Sequence, residues 1–435
     1  MHKKKLLGLA IAAAMISTVV GCSGSDAGKT ELVVWDPGLL NKSSGTGDDA
    51  FTTTFLDDAA AAYEKSHPDI SIKVVETSPD ITTSTAQFQA ASIAGNGPDI
   101  KVGYTGGGTE SFAQYFVDLE SVLSPEVLSD LSGFDTVRQG FSPDGKLLGL
   151  PYGAGAYFYI FYNKDLAEAT GIDIATASET WENLVAAAET VKDAGENPFW
   201  VANQEGYTGA WTIGALAGGE LGANAFSDMY NGTAPIDSDG MLEAYEAYAS
   251  LYSKGLTNPD AGSLPNSDAL SGFSQGKGVF LIAGGWMNQP LVEAMGDNVG
   301  VFAIPMLADA AYPDMVGGGT NNVISITTYS KHQEAAAEFV NYLAQPETID
   351  KYVELNQIEA SNSASADTSL ITNPLLQQEA DELKSVQTLV FPFDNIMPQS
   401  VIDLFYKVNA TTFIGTTTPE DALAQLQSAF EAAQN

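Results

Sequence analysis

The chain has 435 residues, 44% of them hydrophobic, and a single cysteine, which is enough length for two domains of ordinary size and leaves no possible disulfide within the chain. Its formal net charge is −37, from 18 basic residues against 55 acidic ones. That balance argues against nucleic acid, which needs a basic stripe. The lone arginine, Arg138, argues against ligands gripped by a guanidinium fork.

The N-terminus reads as an export signal. His2-Lys3-Lys4-Lys5 is basic, and residues 6–20 are uncharged and almost wholly apolar. That run is too short to cross a bilayer as a helix and right for a signal peptide. It ends at Val19-Val20-Gly21-Cys22, which resembles the lipobox of bacterial lipoproteins. The resemblance implies a signal peptide over 1–21, lipidation of Cys22, and a small polar tether over 22–29. The alternative is an ordinary signal peptide with an incidental cysteine. No later run is long and apolar enough to span a membrane.

Leu32 to Trp35 is a strand signal; Phe51 to Ser66 reads as a helix, and Ile70 to Val75 as a second strand. Gln87 to Ala94 reads as helical and stops at Gly95-Asn96-Gly97-Pro98, before a strand over Asp99 to Gly103. Strands alternating with helices predict parallel α/β layers, whose ligands bind beyond the carboxyl ends of strands. After the turn at Asp144-Gly145 an apolar and aromatic run extends from Leu147 to Tyr162, broken at Pro151 and Gly153. Helices are expected at Ala177 to Ala194, Met241 to Lys254, Lys331 to Ala344 and Pro419 to Ala433. Strands are expected at Val279 to Ala283, Val299 to Ile304 and Val323 to Thr327, and a loop at Ser361 to Thr368. There is no internal repeat.

The order of motifs resembles the family 1 extracellular solute-binding proteins, the group that includes maltose-binding protein. Glu31 to Trp35 is similar to the family's first strand, and Gly95 to Ile100 to its Gly…Pro-Asp-Ile element. Asp144 to Pro151, Tyr162 to Leu166 and Thr180 to Leu184 resemble its central signature. Phe273 to Phe280 and Ala335 to Val340 resemble later segments. The resemblance implies an α/β chain with a periplasmic-binding-protein type II fold, two α/β lobes with a hinge and an interlobe cleft. By it, lobe one takes 30–149 and 316–354, and lobe two takes 150–315 and 355–435. It implies further that the lobes close on a ligand, a neutral sugar such as a short oligosaccharide, and deliver it to the permease subunits of an ABC transporter at the extracellular face of the membrane, or in the periplasm. A monomer is expected.

Sugars offer hydroxyls around flat C–H patches, so a site needs aromatic faces and amide or carboxylate partners. Trp286, after Gly284-Gly285, and Trp211, among glycines and polar residues, fall where the family places ligand aromatics. Trp181 and Trp200 read as core, and Trp35 as either cleft floor or core. Asp36, Asn41, Lys42 and Asp48 occupy the loop after the first strand. Tyr104 precedes Gly106-Gly107-Gly108, which would let a ligand approach the backbone. Tyr152 follows the crossing at Pro151, Asn321 lies at the second crossing, and Asp394 in Phe391 to Asn395 could take two hydroxyls. His67 and His332 have no partner at ligand spacing, so no metal is expected, and no cofactor. No nucleophile elbow, His-Glu-x-x-His or Walker motif occurs, so no enzyme is expected. A surface lectin or adhesin without a transporter, or a binding protein for another small neutral solute, remains open.

Overall fold

The computed structural model describes residues 28–41, 43–44, 51–52, 54–156, 158–355, 360–383 and 388–434. Cys22, Lys42, Asp48 and the signal segment lie outside the described residues. The elements used below are, in chain order, strands β1 (Thr30–Asp36), β2 (Ile70–Glu76), β3 (Ile100–Tyr104), β4 (Leu150–Ala156), β5 (Phe158–Asn163), β6 (Phe280–Gly284), β7 (Val299–Ala303), β8 (Met315–Ile326) and β9 (Thr388–Val390). The helices are α1 (Phe55–Ser66), α2 (Ile81–Ala94), α3 (Trp181–Asp193), α4 (Tyr207–Leu221), α5 (Asp239–Ser253), α6 (Gln333–Leu343), α7 (Pro346–Leu355), α8 (Pro374–Leu383), α9 (Gln399–Phe413) and α10 (Pro419–Ala433).

Two sheets organise the chain. The larger runs β9-β8-β3-β1-β2, with β4 also paired to β8. In it β1 is parallel to β2 and β3, while β8 is antiparallel to β3 and β4. The smaller is the antiparallel set β6-β5-β7. Along β1, Leu32, Val34 and Asp36 face inward and Trp35 lies on the opposite face, as the two-residue period of a strand requires.

The two main hydrophobic cores follow these sheets. One collects Leu32 to Tyr152 from the early chain with Val323 to Tyr352 from α6, α7 and the end of β8. The other collects Phe158 to Val316 with Leu375 to Phe430. Among the described residues the chain passes between them at three places, the last between the segment at 360–366 and Leu375. Tyr152 on β4 belongs to the first core and Phe158 on β5 to the second. Strand β8 crosses back, with Val316 in the second core and Val323 in the first. The segment at 360–366 lies on the first core: Leu131 bridges Ser363, and Asn362 Nδ2 donates to the carbonyls of Ser132 at 2.9 Å and Pro151 at 3.0 Å, while its Oδ1 accepts the Gly153 amide at 3.1 Å. Asn362 thus ties this segment to the first crossing strand through buried groups that are costly to leave unpaired.

Local signals account for several helix starts. Thr180 caps α3 through its hydroxyl, and Thr418 caps α10 with Pro419 following in the first turn. Helix α2 starts at Ile81 rather than near Gln87, because Asp80 caps it and accepts the Thr83 amide at 2.8 Å. Strand β8 starts at Met315, well before Val323, since both of its halves find partner strands.

Candidate functional site

The second core carries a continuous row of aromatic rings ending at a carboxylate. Strand β6 is buried throughout and ends at Gly284, and a single helical turn at Gly285–Met287 then presents Trp286, which is 44% exposed. Helix α4 presents Trp211 and, one turn earlier, Tyr207. This i, i+4 spacing puts both rings on one face, 6.3 Å apart and near parallel at 22°. Phe158, the first residue of β5, stacks on Trp211 at 6.0 Å and 21°. Trp286 meets Trp211 edge-on, at 5.1 Å and 70°. Tyr207 in turn takes the edge of Tyr406 from α9 at 4.9 Å and 87°.

Tyr406 connects the rings to the carboxylate. Its hydroxyl donates to Asp394 Oδ2 at 3.0 Å. The other oxygen, Asp394 Oδ1, is buried and has no hydrogen-bond partner among the described residues. Burial pushes the Asp394 carboxyl up to about 6, and the Tyr406 hydroxyl only partly offsets this. Burial and the neighbouring Asp394 likewise raise the Tyr406 phenol. Tyr406 takes one acceptor position on Oδ2, and Oδ1 is the oxygen without a partner among the described residues.

Residues of the first core meet this region at the loop after β3. Tyr104 ends β3 and is 38% exposed. Thr105 donates its amide to the Asn321 carbonyl at 3.1 Å, while Tyr104 itself stands opposite Asn322 on β8, so Asn321 lies one residue along the strand from Tyr104's partner. Gly106, with φ of +71°, sits so close to the Asn395 carbonyl and the Phe391 ring that any side chain there would overlap both. Asp394 thus lies on a short helical turn, Phe393–Ile396, rather than in the expected loop, and that turn is in contact with the loop following Tyr104.

Four other candidates are committed elsewhere. Tyr152 is wholly buried in the first core; it packs on Phe55 and Tyr352 and donates its hydroxyl to the Leu343 carbonyl at 2.8 Å. It is a core residue and presents nothing to a ligand. Asp36 is 1% exposed, and its oxygens accept the amides of Leu39 at 2.8 Å, Leu40 at 3.1 Å and Asn41 at 2.8 Å, so it shapes its own loop. Asn41 serves the start of α1: Oδ1 accepts the Leu56 amide at 2.8 Å, and Nδ2 donates to Asp57 at 3.0 Å. Trp35 packs against a small separate core of Phe88, Phe112, Ala113, Phe116 and Leu148. Trp181 and Trp200 are buried, at 3% and 8% exposure.

The sequence reading missed Tyr207, Tyr406 and Phe158. Tyr207 was detectable from its four-residue spacing to Trp211; Tyr406, twelve residues beyond Asp394 on another element, carried no such signal. It also missed Lys101, which is buried beside Asp36 and over the Phe88 ring, with its amine held down to about 8 by burial. Arg138 is engaged away from the aromatic row: Nη2 binds Glu120 at 2.6 Å and Nη1 donates to the Gly145 carbonyl at 3.0 Å.

Two α/β lobes, joined by strands that run from one core to the other, are the architecture of type II periplasmic binding proteins. A structure of a chitin oligosaccharide binding protein superposes with a TM-score of 0.74 at 19% identity, over 93% of this chain and 99% of that one. A structure of the solute-binding protein RafE in complex with raffinose gives a TM-score of 0.69 at 18% identity, over 94% and 100%. The chain belongs to the bacterial extracellular solute-binding protein family, whose model matches residues 49–349. A binding protein of Brucella abortus (strain 2308) is 32% identical over 239 residues, 54% of this chain and 52% of that one. The sn-glycerol-3-phosphate-binding periplasmic protein UgpB of Agrobacterium fabrum (strain C58 / ATCC 33970) is 24% identical over 212 residues, 47% and 46%. The chain thus spans about half the length of the curated relatives it matches.

Proposed function

We propose that this protein binds a neutral sugar, a short oligosaccharide, between its lobes and hands it to the permease subunits of an ABC transporter, without catalysing a reaction on it. The observation that carries the reading is the corner made by Trp286 and Trp211, continued through Tyr207 and Tyr406 to the unpartnered Asp394 Oδ1. A partly exposed indole suits the C–H face of a sugar ring, and a buried carboxylate oxygen demands a donor such as a hydroxyl. The row contains no lysine or arginine, and Arg138 is taken by Glu120. That favours a neutral ligand over a phosphate ester of the kind the Agrobacterium relative is named for. The raffinose and chitin oligosaccharide proteins that share the fold support the same class.

Ligand-contacting roles are proposed for Trp286, Trp211, Tyr207, Asp394, Tyr104 and Asn321. Lobe one is proposed to take 30–152 and 323–352, with 360–366 resting on it through Asn362, and lobe two 158–316 and 375–430, the crossing strands joining them. This moves the boundaries expected at 149/150 and 315/316 into the crossing strands. A thermal-shift screen tests the function, because a ligand of the folded state raises its melting temperature by mass action. Raffinose or chitin oligosaccharides are expected to raise it and glycerol 3-phosphate to leave it unchanged; the reverse pattern contradicts the reading.

Cys22 is proposed to carry the lipid anchor that holds the monomer at the outer face of the membrane. Mass spectrometry of protein purified from membranes is expected to show a mature chain starting at a diacylglyceryl-modified Cys22. An unmodified Cys22 inside a longer or shorter chain contradicts the anchor.

A further inference from the structure

Trp286 follows two glycines whose surroundings differ sharply. A Cβ built on Gly284 would overlap Cζ3, Cη2 and Cε3 of the Trp286 ring. The indole therefore lies folded back over the Gly284 backbone, in the space that any other residue's side chain would occupy. The Gly284 backbone itself is ordinary, with φ of −98° and ψ of 167°, a conformation open to every L-residue. The three atoms nearest to such a Cβ all belong to the ring. At Gly285 the same test finds Glu379 Oε2 at 3.5 Å, Asn288 Nδ2 at 3.7 Å and Tyr159 Cε2 at 3.7 Å, which are ordinary contacts.

The ring is thus held by two neighbours: the Gly284 backbone, over which it lies, and the Trp211 ring, 5.1 Å away at 70°. With these contacts made, Trp286 keeps 44% of its surface exposed. A platform held at its binding angle before the ligand arrives spares the cost of ordering a large side chain on binding.

We infer that Gly284 is a positioning residue for ligand recognition: its missing side chain sets the angle at which Trp286 meets a sugar ring and so helps determine which sugars fit. The inference rests on the proposal that Trp286 stacks on the ligand, and the test separates the two. Gly284→Ala, Gly285→Ala, Trp286→Ala and the double variant Gly284→Ala/Trp286→Ala are compared with the parent protein. Ligand-free near-ultraviolet circular dichroism reads the indole environment, and calorimetry with raffinose and with chitin oligosaccharides reads binding.

In the ligand-free spectra Gly284→Ala is expected to change the tryptophan bands, Gly285→Ala to leave them as they are, and Gly284→Ala to have no effect once Trp286 is absent. Affinity for the sugar that binds is expected to fall about tenfold or more in Gly284→Ala, and to differ less than about twofold between Trp286→Ala and the double variant, since coupled residues are non-additive. If Gly284→Ala alone fails to fold while the double variant melts like Trp286→Ala, the ring is the obstacle and the inference stands. If Gly284→Ala leaves both spectrum and affinity unchanged, or costs as much affinity without the ring as with it, the inference is overturned. If the spectra behave as expected but Trp286→Ala binds sugar normally, the stacking proposal fails, and the recognition role of Gly284 with it.

Discussion

Trp286→Ala is expected to weaken sugar binding at least thirtyfold while costing the fold clearly less stability than Trp211→Ala. The two effects separate because of where the ring sits. It is 44% exposed, so truncation removes less buried area than at a core tryptophan and leaves a gap open to solvent rather than a closed cavity. On the binding side, a large aromatic anchor covered by its ligand commonly carries about 2 kcal/mol or more, which is roughly thirtyfold in affinity. Trp211→Ala is the instructive contrast. That ring is 8% exposed and packs against Phe158, Tyr207 and Trp286, so its loss should destabilise the protein by about 3–5 kcal/mol, the range for truncating a core tryptophan. Chemical denaturation and calorimetry on the two variants measure both quantities. A Trp286→Ala protein that binds normally, or that loses as much stability as Trp211→Ala, contradicts the assignment of Trp286 to the ligand.

Asp394→Asn should strengthen the fold and weaken binding. In the folded protein Asp394 holds its proton up to about pH 6, against 3.8 ordinarily. Between these values the folded chain keeps a proton that the unfolded chain has released, so Asp394 lowers stability progressively as pH rises from about 4 to 6. Above pH 6 the cost of keeping the charged group in its site is complete, at most about 3 kcal/mol, because the residue as a whole retains some solvent contact. Asparagine has the same shape and can still accept the Tyr406 hydroxyl, so most of that cost should vanish. The variant should gain up to about 3 kcal/mol at pH 7 and nothing below pH 4. Binding moves the other way. A hydroxyl donated to a buried carboxylate is worth roughly 1.5–3 kcal/mol, so affinity at pH 7 should fall about tenfold to a hundredfold. The parent protein should also lose affinity as pH falls through 6, and the variant should not. Denaturation at pH 4 and pH 7, with calorimetry across the same range, tests the pair. A variant less stable at pH 7, or one whose affinity keeps the parent's pH dependence, contradicts the role given to Asp394.

The pattern of success in the sequence follows from physical scale. Strand β1 and helices such as α3 and α10 are amphipathic or capped, and β7 is a short apolar run, so their signals lie within a few residues. Helix α4 carries no such signal. From Thr208 to Gly219 every residue is buried, four of them glycines, so no polar stripe marks its period. Trp211 was legible as a scarce, large aromatic in glycine-rich surroundings, but its helix was not. Asp36 was read as a loop residue, although it shares the inward face of β1 with Leu32 and Val34, and the period of the strand already pointed it inward. Asn41 was misplaced for another reason: asparagine and aspartate side chains in loops often bond nearby backbone, and only geometry shows which amides they choose. Tyr152 stands in a strand buried on both faces, where alternation gives no direction. The Tyr406–Asp394 bond joins two elements across a fold and leaves no trace in spacing.

The most direct test is a crystal structure of the protein grown with the neutral oligosaccharide that stabilises it best. A sugar ring lying on the exposed face of Trp286, with a hydroxyl within 3.2 Å of Asp394 Oδ1 and both lobes in contact with it, is the expected result. A ligand bound outside the lobes, or one held between them by Arg138 or Lys101 with Trp286 untouched, would contradict the account.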